Sequence, residues 1–460
     1  MVRSGPSGVP APRQRETLVV VIPGITGSAL TRDGRDVWNL SVSAISSGVF
    51  HTARTLSRLA LPEGIGDDEP DGPGAMTPSS LISGWHVWPG FVGGTGYHRI
   101  VSVLRTLDPA RFRVREFPYD WRLSIRRTAR HLGSFIDREV AGTGAGDGQP
   151  PDIVLVCHSM GGLIARYYLE VLGGRERVGK LITIGTPFAG SVKAVRVLAG
   201  DATRLLGGLN EMLTATARSF PSVRQLLPSF PCVQMESGLR KLESAAVPQL
   251  PGDLVRDAAA LQAEVRAAVQ ANGPAPYATH VFGGRHQPTD ASISIGPAGL
   301  GYHRTHSQRD YGGDGTVPRF SCVPPEWPDD SAASLFAARH SALQSSRPLL
   351  DQVLDKLCGV ELGAFMAPAL ELTLDVPELV APGQAAIPVS VTASEPDLLL
   401  RFALTAGDGR ETADWTDLRP DGAGHYHGEL ASRPGAWRVT VETVAVTPPV
   451  RISEIVLVPG

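Results

Sequence analysis

Short runs of aliphatic and β-branched residues recur along most of the chain, and between them lie stretches whose apolar residues return every three or four positions. The first kind suits buried strands and the second suits amphipathic helices. The runs "LVVVIPG" (18–24), "RFRVREFPY" (111–119), "DIVLVCH" (152–158), "KLITIGT" (180–186) and "THVFGG" (279–284) predict strands. "YHRIVSVLRTL" (97–107), "LSIRRTARHLGSFIDREV" (123–140) and "LIARYYLEVLGG" (163–174) predict helices, the last ending at a glycine pair as helices often do. From Leu18 to about Gly359 the alternation predicts βα units around a mostly parallel sheet.

Two segments break the rhythm. Residues 31–96 hold "LPEGIGDDEPDGPGAMTP" and "WHVWPGFVGGTG", whose Gly and Pro content argues against regular structure. Residues 190–250 hold "VRVLAGDATRLLGGLNEML" and "FPSVRQLLPSFPCV", apolar helical segments offset from the sheet pattern. Both are expected to be insertions, with long loops of this kind tending to form lids or binding loops. After Gly359 the texture changes to "ELTLDV", "IPVSVTA", "LLLRFAL", "GHYHGEL", "WRVTVETV" and "RISEIVLV", alternating strands joined by Pro/Gly turns. That spacing predicts a small all-β sandwich. The expected division is a flexible tail over 1–16, an α/β domain over 17–360 with insertions at about 31–96 and 190–250, and an immunoglobulin-like β-sandwich over 365–460.

Composition narrows the class. Of the 460 residues, 42% are hydrophobic and 19% charged, as in globular proteins with a sizeable core. A formal net charge of −3 gives no reason to expect nucleic acid as a partner. The four cysteines, Cys157, Cys232, Cys322 and Cys358, show no metal-ligand spacing and read as reduced thiols. The basic, Pro-rich start is not followed by an apolar core long enough for a signal peptide, and no run approaches the roughly 20 apolar residues of a membrane span. A cytoplasmic protein is the expectation.

Candidate chemistry centres on "VCHSMGG" (156–162). A serine between a buried strand and a helix start can sit in a sharp turn with its Oγ exposed, beside free helix N–H groups that favour negative charge. The motif departs from G-x-S-x-G, because Cys157 stands where the first glycine is usual. An S-x-G sequence alone is an ordinary strand-to-helix turn, so Ser159 needs a base and an orienting acid further along. "RDYGGDGTVPRFS" supplies Asp314 within glycines, with Asp310 as the rival acid. Past Asp314 the only histidines are His340, His425 and His427, and the last two fall on a sandwich strand. Ser159, Asp314 and His340 therefore form the expected triad, in the chain order Ser, Asp, His of α/β-hydrolases. Backbone N–H groups of Met160 and of Ile25, in the Pro23-Gly24 turn, are the expected oxyanion donors, with Phe91 as the fallback. His158 and Phe91 are candidates for lining a substrate pocket.

With these segments in hand, the chain resembles the lecithin:cholesterol acyltransferase family, which includes lysosomal phospholipase A2 and the phospholipid:diacylglycerol acyltransferases. "VIPGITGSAL", "WPGFVGGTGYHRIVSVL", "FPYDWRLS", "HSMGG" and "GDGTVP" are similar to the family's successive motifs over roughly residues 17–350, and His340 matches its base. Pro118 to Arg122 is the most distinctive of them. The resemblance implies an α/β-hydrolase fold with cap insertions. It also implies serine-dependent acyl transfer on lipid-like esters, with no metal or cofactor, by a phospholipase or lipase or by an O-acyltransferase. Transient contact with a membrane surface would go with such a substrate. Asp120 and Trp121 read as structural support below the site. Departures are the absence of the leader and disulfide-closed lid of secreted relatives, and the presence of the sandwich, which reads as a stability or spacer module or as a site for a ligand or protein partner. A carboxylesterase for small esters and an idle hydrolase fold serving as a binding module are the alternative functions.

Overall fold

The computed structural model describes residues 15–39, 58–68, 75–84, 86–88, 92–142, 150–359, 370–384, 386–406 and 414–459. The expected tail lies outside these, apart from Arg15 and Glu16.

Six strands form the central sheet: β1 (Thr17–Ile22), β2 (Phe112–Glu116), β3 (Asp152–His158), β4 (Val178–Ile184), β5 (Ala278–Gly284) and β6 (Ser334–Phe336). Their spatial order is β6-β5-β4-β3-β1-β2, and every adjacent pair is parallel. Every residue of β1 is buried, as a central strand covered on both faces requires. Side chains alternate between the two faces: Leu18, Val20, Ile22, Leu155 and Cys157 enter one core, and Val19, Val21, Val154 and Val156 the other. Helices α1 (His98–Leu104), α2 (Ile125–Ala141) and α3 (Met160–Glu170) connect the strands. On α2 the buried residues Ile125, Ala129, Leu132 and Ile136 make one stripe, and the Ser124 hydroxyl accepts the Arg126 N–H at 3.2 Å to cap the first turn. The chain adopts the mostly parallel α/β sheet expected from the strand pattern and the α/β-hydrolase fold that the resemblance implies, with β6 the one central strand that periodicity does not single out.

The first insertion differs from its expected irregularity. Ser28–Arg32 pairs antiparallel with Arg35–Trp38 and with Thr77–Leu81, and His86–Trp88 forms a hairpin with Val92–Gly94. Short antiparallel ladders need only a few extended residues, so Gly- and Pro-rich composition limits their length without preventing them. The second insertion is helical as expected, with α4 (Val192–Leu198) and α5 (Leu209–Ser219). Beyond it comes an unexpected helix, α6 (Gly252–Asn272), that packs beside α3. Alanine dilutes its apolar stripe of Leu254, Val255, Ala258 and Leu261, but the buried Arg126 reaches across to Asp257 (2.9 Å) and Glu264 (2.8 Å) and ties it to α2.

The C-terminal region is two packed four-stranded sheets. Strands β7 (Leu372–Asp375), β8 (Ala386–Ala393), β9 (Leu400–Ala406), β10 (Thr416–Asp417), β11 (Arg419–Gly422), β12 (His425–Ala431), β13 (Gly435–Thr443) and β14 (Arg451–Val458) arrange as β7-β8-β12-β11 and β10-β9-β13-β14. Phe402, Tyr426 and Trp437 fill the core between them. The sandwich is seated on the α/β core through ion pairs Arg285–Glu371, Lys193–Glu378 and Arg339–Glu454, and through Leu206 packed on Leu379, Ala436, Ile455 and Leu457.

Candidate active site

Strand β3 ends at His158 and α3 starts at Met160, leaving Ser159 alone at the corner with φ 53° and ψ −126°. That region favours glycine, so the serine carries strain of about 1–3 kcal/mol that its surroundings must overcome. They do so by crowding and hydrogen bonding. The Ser159 N–H donates to the Ile184 carbonyl at 2.8 Å, and the Thr186 hydroxyl donates to the Ser159 carbonyl at 2.9 Å. A Cβ on Gly161 would come within 2.6 Å of the Ile22 and Pro23 carbonyl oxygens, and one on Gly162 within 2.1 Å of Thr186 Oγ1. Both glycines let the helix start directly against the sheet. Cys157 needs no such clearance: its side chain lies in the sheet register opposite Ile22 and Thr183, fully buried, and burial pushes its thiol pKa up. The place where glycine is usual is thus still strand here.

His340 Nε2 lies 2.9 Å from Ser159 Oγ, and His340 Nδ1 lies 2.7 Å from Asp314 Oδ2. The other carboxylate oxygen of Asp314 accepts the N–H groups of Thr316 (2.9 Å) and Val317 (2.7 Å), which fixes its plane. The Asp314 carbonyl accepts the His340 N–H at 2.7 Å, so acid and base are joined by backbone as well as side chain. Asp314 is 1% exposed and His340 8%. Gly284 packs under Asp314 so closely that a Cβ there would stand 2.3 Å from the Asp314 Cβ. The rival Asp310 is exposed on a short hairpin, where its carboxylate accepts the Gly312 N–H at 2.8 Å. His425 and His427 point to solvent from β12.

The turn after β1 meets Ser159 directly, since a Cβ on Gly24 would stand 2.8 Å from the Ser159 Cβ. Gly27 N–H donates to the Gly24 carbonyl at 3.1 Å, closing a tight turn with Thr26 at φ 61°. The Gly24 N–H is already taken by Tyr97 Oη at 2.7 Å. Ile25 lines the cleft beside Ser159, and among the described residues neither its N–H nor that of Met160 has an acceptor. Tyr97 Oη is also 2.8 Å from His158 Nδ1. The His340 carbonyl can only accept, so His158 Nε2–H donates to it at 3.3 Å, and Nδ1 of the neutral ring accepts the Tyr97 hydroxyl. His158 lines the cleft, yet its nitrogens belong to this network. Tyr97 opens the predicted helix over 97–107 and stands in the "WPGFVGGTGYHRIVSVL" segment, but no spacing marks it as a partner of His158. Phe91 lies outside the described residues.

Pro118 to Arg122 buttresses that turn from below. Tyr119 Oη donates to the Pro23 carbonyl (2.8 Å), and Trp121 Nε1 donates to the Ser28 carbonyl (3.2 Å). Trp121 packs edge-on against Trp38 and Phe220. Arg122 is fully buried and paired in two places with Asp120, Nε to Oδ1 at 2.9 Å and Nη2 to Oδ2 at 2.6 Å. Its remaining arm donates to the Leu59 carbonyl at 2.9 Å. The supporting role expected for Asp120 and Trp121 matches these contacts.

The cleft above Ser159 is walled by Ile25, Trp88, Pro187, Ala194 and Leu226 on the core side and by Glu378, Glu454 and Ile455 from the sandwich. All four cysteines are free thiols. Among the described residues no three His, Cys, Asp or Glu side chains converge as a metal site would need, and no helix is long and apolar enough to cross a membrane.

Residues 92–246 match the lecithin:cholesterol acyltransferase family model. That span holds the Pro118–Arg122 motif, the Ser159 elbow and the helical insertion, whereas Asp314 and His340 lie beyond it. No curated protein matches the chain. Among solved structures, the Tle4-Tli4 complex aligns over 76% of this chain and 100% of its own, at 15% identity and a TM-score of 0.46. The mature lipase BlEst2 of Bacillus licheniformis aligns over 77% of this chain and 95% of its own, at 12% identity and a TM-score of 0.33. Phospholipase PlaB of Legionella pneumophila aligns over 81% and 88%, at 11% identity and a TM-score of 0.30. Residues 92–246 are thus similar to the lecithin:cholesterol acyltransferase family, within a chain that has an α/β-hydrolase fold.

Proposed function

We propose that the protein is a serine-dependent acyl-transfer enzyme that acts on lipid-like esters through an acyl-enzyme, releasing the acyl group to water as a lipase or phospholipase does, or to an alcohol. The observation that carries this reading is the continuous line from Asp314 through His340 to Ser159, with contacts of 2.7 and 2.9 Å. His340 Nδ1–H donates to Asp314, so Nε2 is free to accept the Ser159 proton as Oγ attacks the ester carbonyl. The oxyanion is held by the N–H groups of Met160, at the start of α3, and Ile25. His340 then protonates the leaving alcohol. In the second half it takes a proton from water or an acceptor alcohol as that oxygen attacks the acyl carbon, and returns it to Ser159 Oγ as the bond between Oγ and the acyl carbon breaks. Asp314 keeps the imidazole in the useful tautomer and supports the imidazolium. No step calls on a metal or cofactor. The mostly apolar wall of Ile25, Trp88, Pro187, Ala194 and Leu226 supports an acyl chain as the group bound there.

The deciding experiment supplies an acyl-labelled phospholipid with and without a long-chain alcohol or sterol. Labelled free fatty acid in both arms identifies a hydrolase, and labelled ester in the second arm an acyltransferase. Ser159→Ala should abolish both products and block fluorophosphonate labelling with the fold intact; unchanged turnover in that variant ends the reading.

A further inference from the structure

The last strand of the sandwich reaches the base of the proposed triad. Glu454, on β14, is 7% exposed, and among the described residues its carboxylate is paired with Arg339 and hydrogen-bonded by Ser341 and the Ile455 N–H. Its Oε2 pairs with Arg339 Nε, and its Oε1 accepts the Ser341 hydroxyl at 2.7 Å and the Ile455 N–H at 2.9 Å. The Arg339 guanidinium is itself buried and also donates to the Leu374 carbonyl on β7 of the sandwich. Arg339 and Ser341 are the residues immediately before and after His340. One carboxylate on the sandwich thus grips both flanks of the histidine, on a segment where His340 has 3₁₀ rather than α-helical backbone. The carbonyl of Ser341 is held in turn by the Thr95 N–H at 3.2 Å.

A buried ion pair contributes little net stability, because the desolvation of both charges offsets their attraction; its attested use is to fix one arrangement over others. The seating of the sandwich is consistent with that use. Lys193 on α4 pairs with Glu378, and Leu206 packs on Leu379, Ala436, Ile455 and Leu457, so β14 is braced against the insertion that walls the cleft. We infer that Glu454 is a positioning residue for His340, and that the sandwich is an integral part of the acyl-transfer site. It acts through Arg339 and Ser341 and touches no reacting atom. This rests on the acyl-enzyme reading of Ser159 and His340. Among the described residues no second group performs the same bridging, since no other carboxylate lies within ion-pair distance of Arg339.

The test compares full-length wild type, Glu454→Gln, Glu454→Asp, Ser341→Ala and the double variant R339M/E454M. The double variant removes both charges, so it does not leave a buried cation unpaired. Active sites are counted by fluorophosphonate titration to completion, and kcat and KM for p-nitrophenyl butyrate are expressed per titrated site. The expected result is a kcat about 10- to 100-fold lower in E454Q and R339M/E454M. KM should change by a smaller factor than kcat, because Glu454 borders the cleft but its main loss falls on the placement of His340. S341A should fall between, and E454D should recover part of the loss. The far-downfield imidazole proton of His340 against Asp314 should broaden or vanish in E454Q, a signature that loss of stability alone does not produce below the melting temperature. Wild-type kcat per titrated site in both E454Q and R339M/E454M overturns the inference. Retained turnover in S159A instead overturns the acyl-enzyme reading, so the two failures are told apart.

Discussion

Tyr97 Oη stands 2.8 Å from His158 Nδ1 while accepting the Gly24 N–H at 2.7 Å, so one phenol joins the turn after β1 to the residue before the nucleophile. Both rings are buried, and burial raises the Tyr97 pKa, keeping the phenol protonated as this pairing needs. Tyr97→Phe keeps the ring and takes the acceptor away from the buried Gly24 N–H. An orphaned buried donor costs about 1–3 kcal/mol, and the variant should lose roughly 1–3 kcal/mol of stability. It should also lower kcat, because the Ile25 N–H is placed by that turn. Urea unfolding measures the first effect; an unchanged midpoint would sink the argument.

Asp314 and Asp310 sit four residues apart with opposite surroundings, one 1% exposed against His340 and the other on an exposed hairpin. Asp314→Asn should cut kcat by about 10³–10⁴, since the amide favours the wrong imidazole tautomer. Asp310→Asn should leave kcat within about twofold, as expected of a surface substitution. Equal effects in the two variants would contradict the assignment of the acid.

Arg122 is fully buried, and Asp120 is its carboxylate partner. Asp120→Asn removes the carboxylate from that buried ion pair, and breaking such a pair costs about 3–5 kcal/mol. Because the pair lies below the turn and touches no reacting atom, kcat per titrated site should fall far less than total activity. A variant that melts like wild type but loses kcat would instead move Asp120 into the chemistry.

Glu454 also makes the protein acid-sensitive in a definite direction. Burial pushes its carboxyl up from the ordinary value of 4.5, but the Arg339 charge and the hydrogen bonds from Arg339, Ser341 and the Ile455 N–H outweigh this and leave it lowered. A carboxylate whose folded-state pKa is depressed contributes stability above its unfolded value and loses it as pH falls toward the folded value. The melting-temperature difference between wild type and Glu454→Gln should therefore be full at neutral pH and shrink as pH drops below 4.5. A difference that grows on acidification would reverse the sign and reject the coupling.

The parts of the site legible in the sequence are those with local causes. Ser159 is marked by a buried run that stops and a helix that starts one residue later, and Asp314 by glycines that let the chain fold around it. The alternation along β12 is enough to turn His425 and His427 toward solvent, because a strand has a period of two. Helix α6 escapes its periodicity because alanines on every side of its stripe of Leu254, Val255, Ala258 and Leu261 blur the contrast between its faces, and the ladders of the first insertion because strands of three to five residues hold too few repeats of the two-residue period to stand out.

What the sequence by itself determined is the order of the elements, the chemistry available and the identity of the three groups expected to react. These depend on side-chain type and on periodicities of two and 3.6, which the chain carries locally. What only the tertiary structure decided is how those groups are held: the Tyr97 hydroxyl bridging Gly24 and His158, the Thr186 side chain filling the space above Gly162, and Glu454 gripping both neighbours of His340 from 113 to 115 residues away. Each is a contact between residues far apart in the chain. No pattern of neighbours encodes it, because it exists only once both partners have lost their water and met in the folded core.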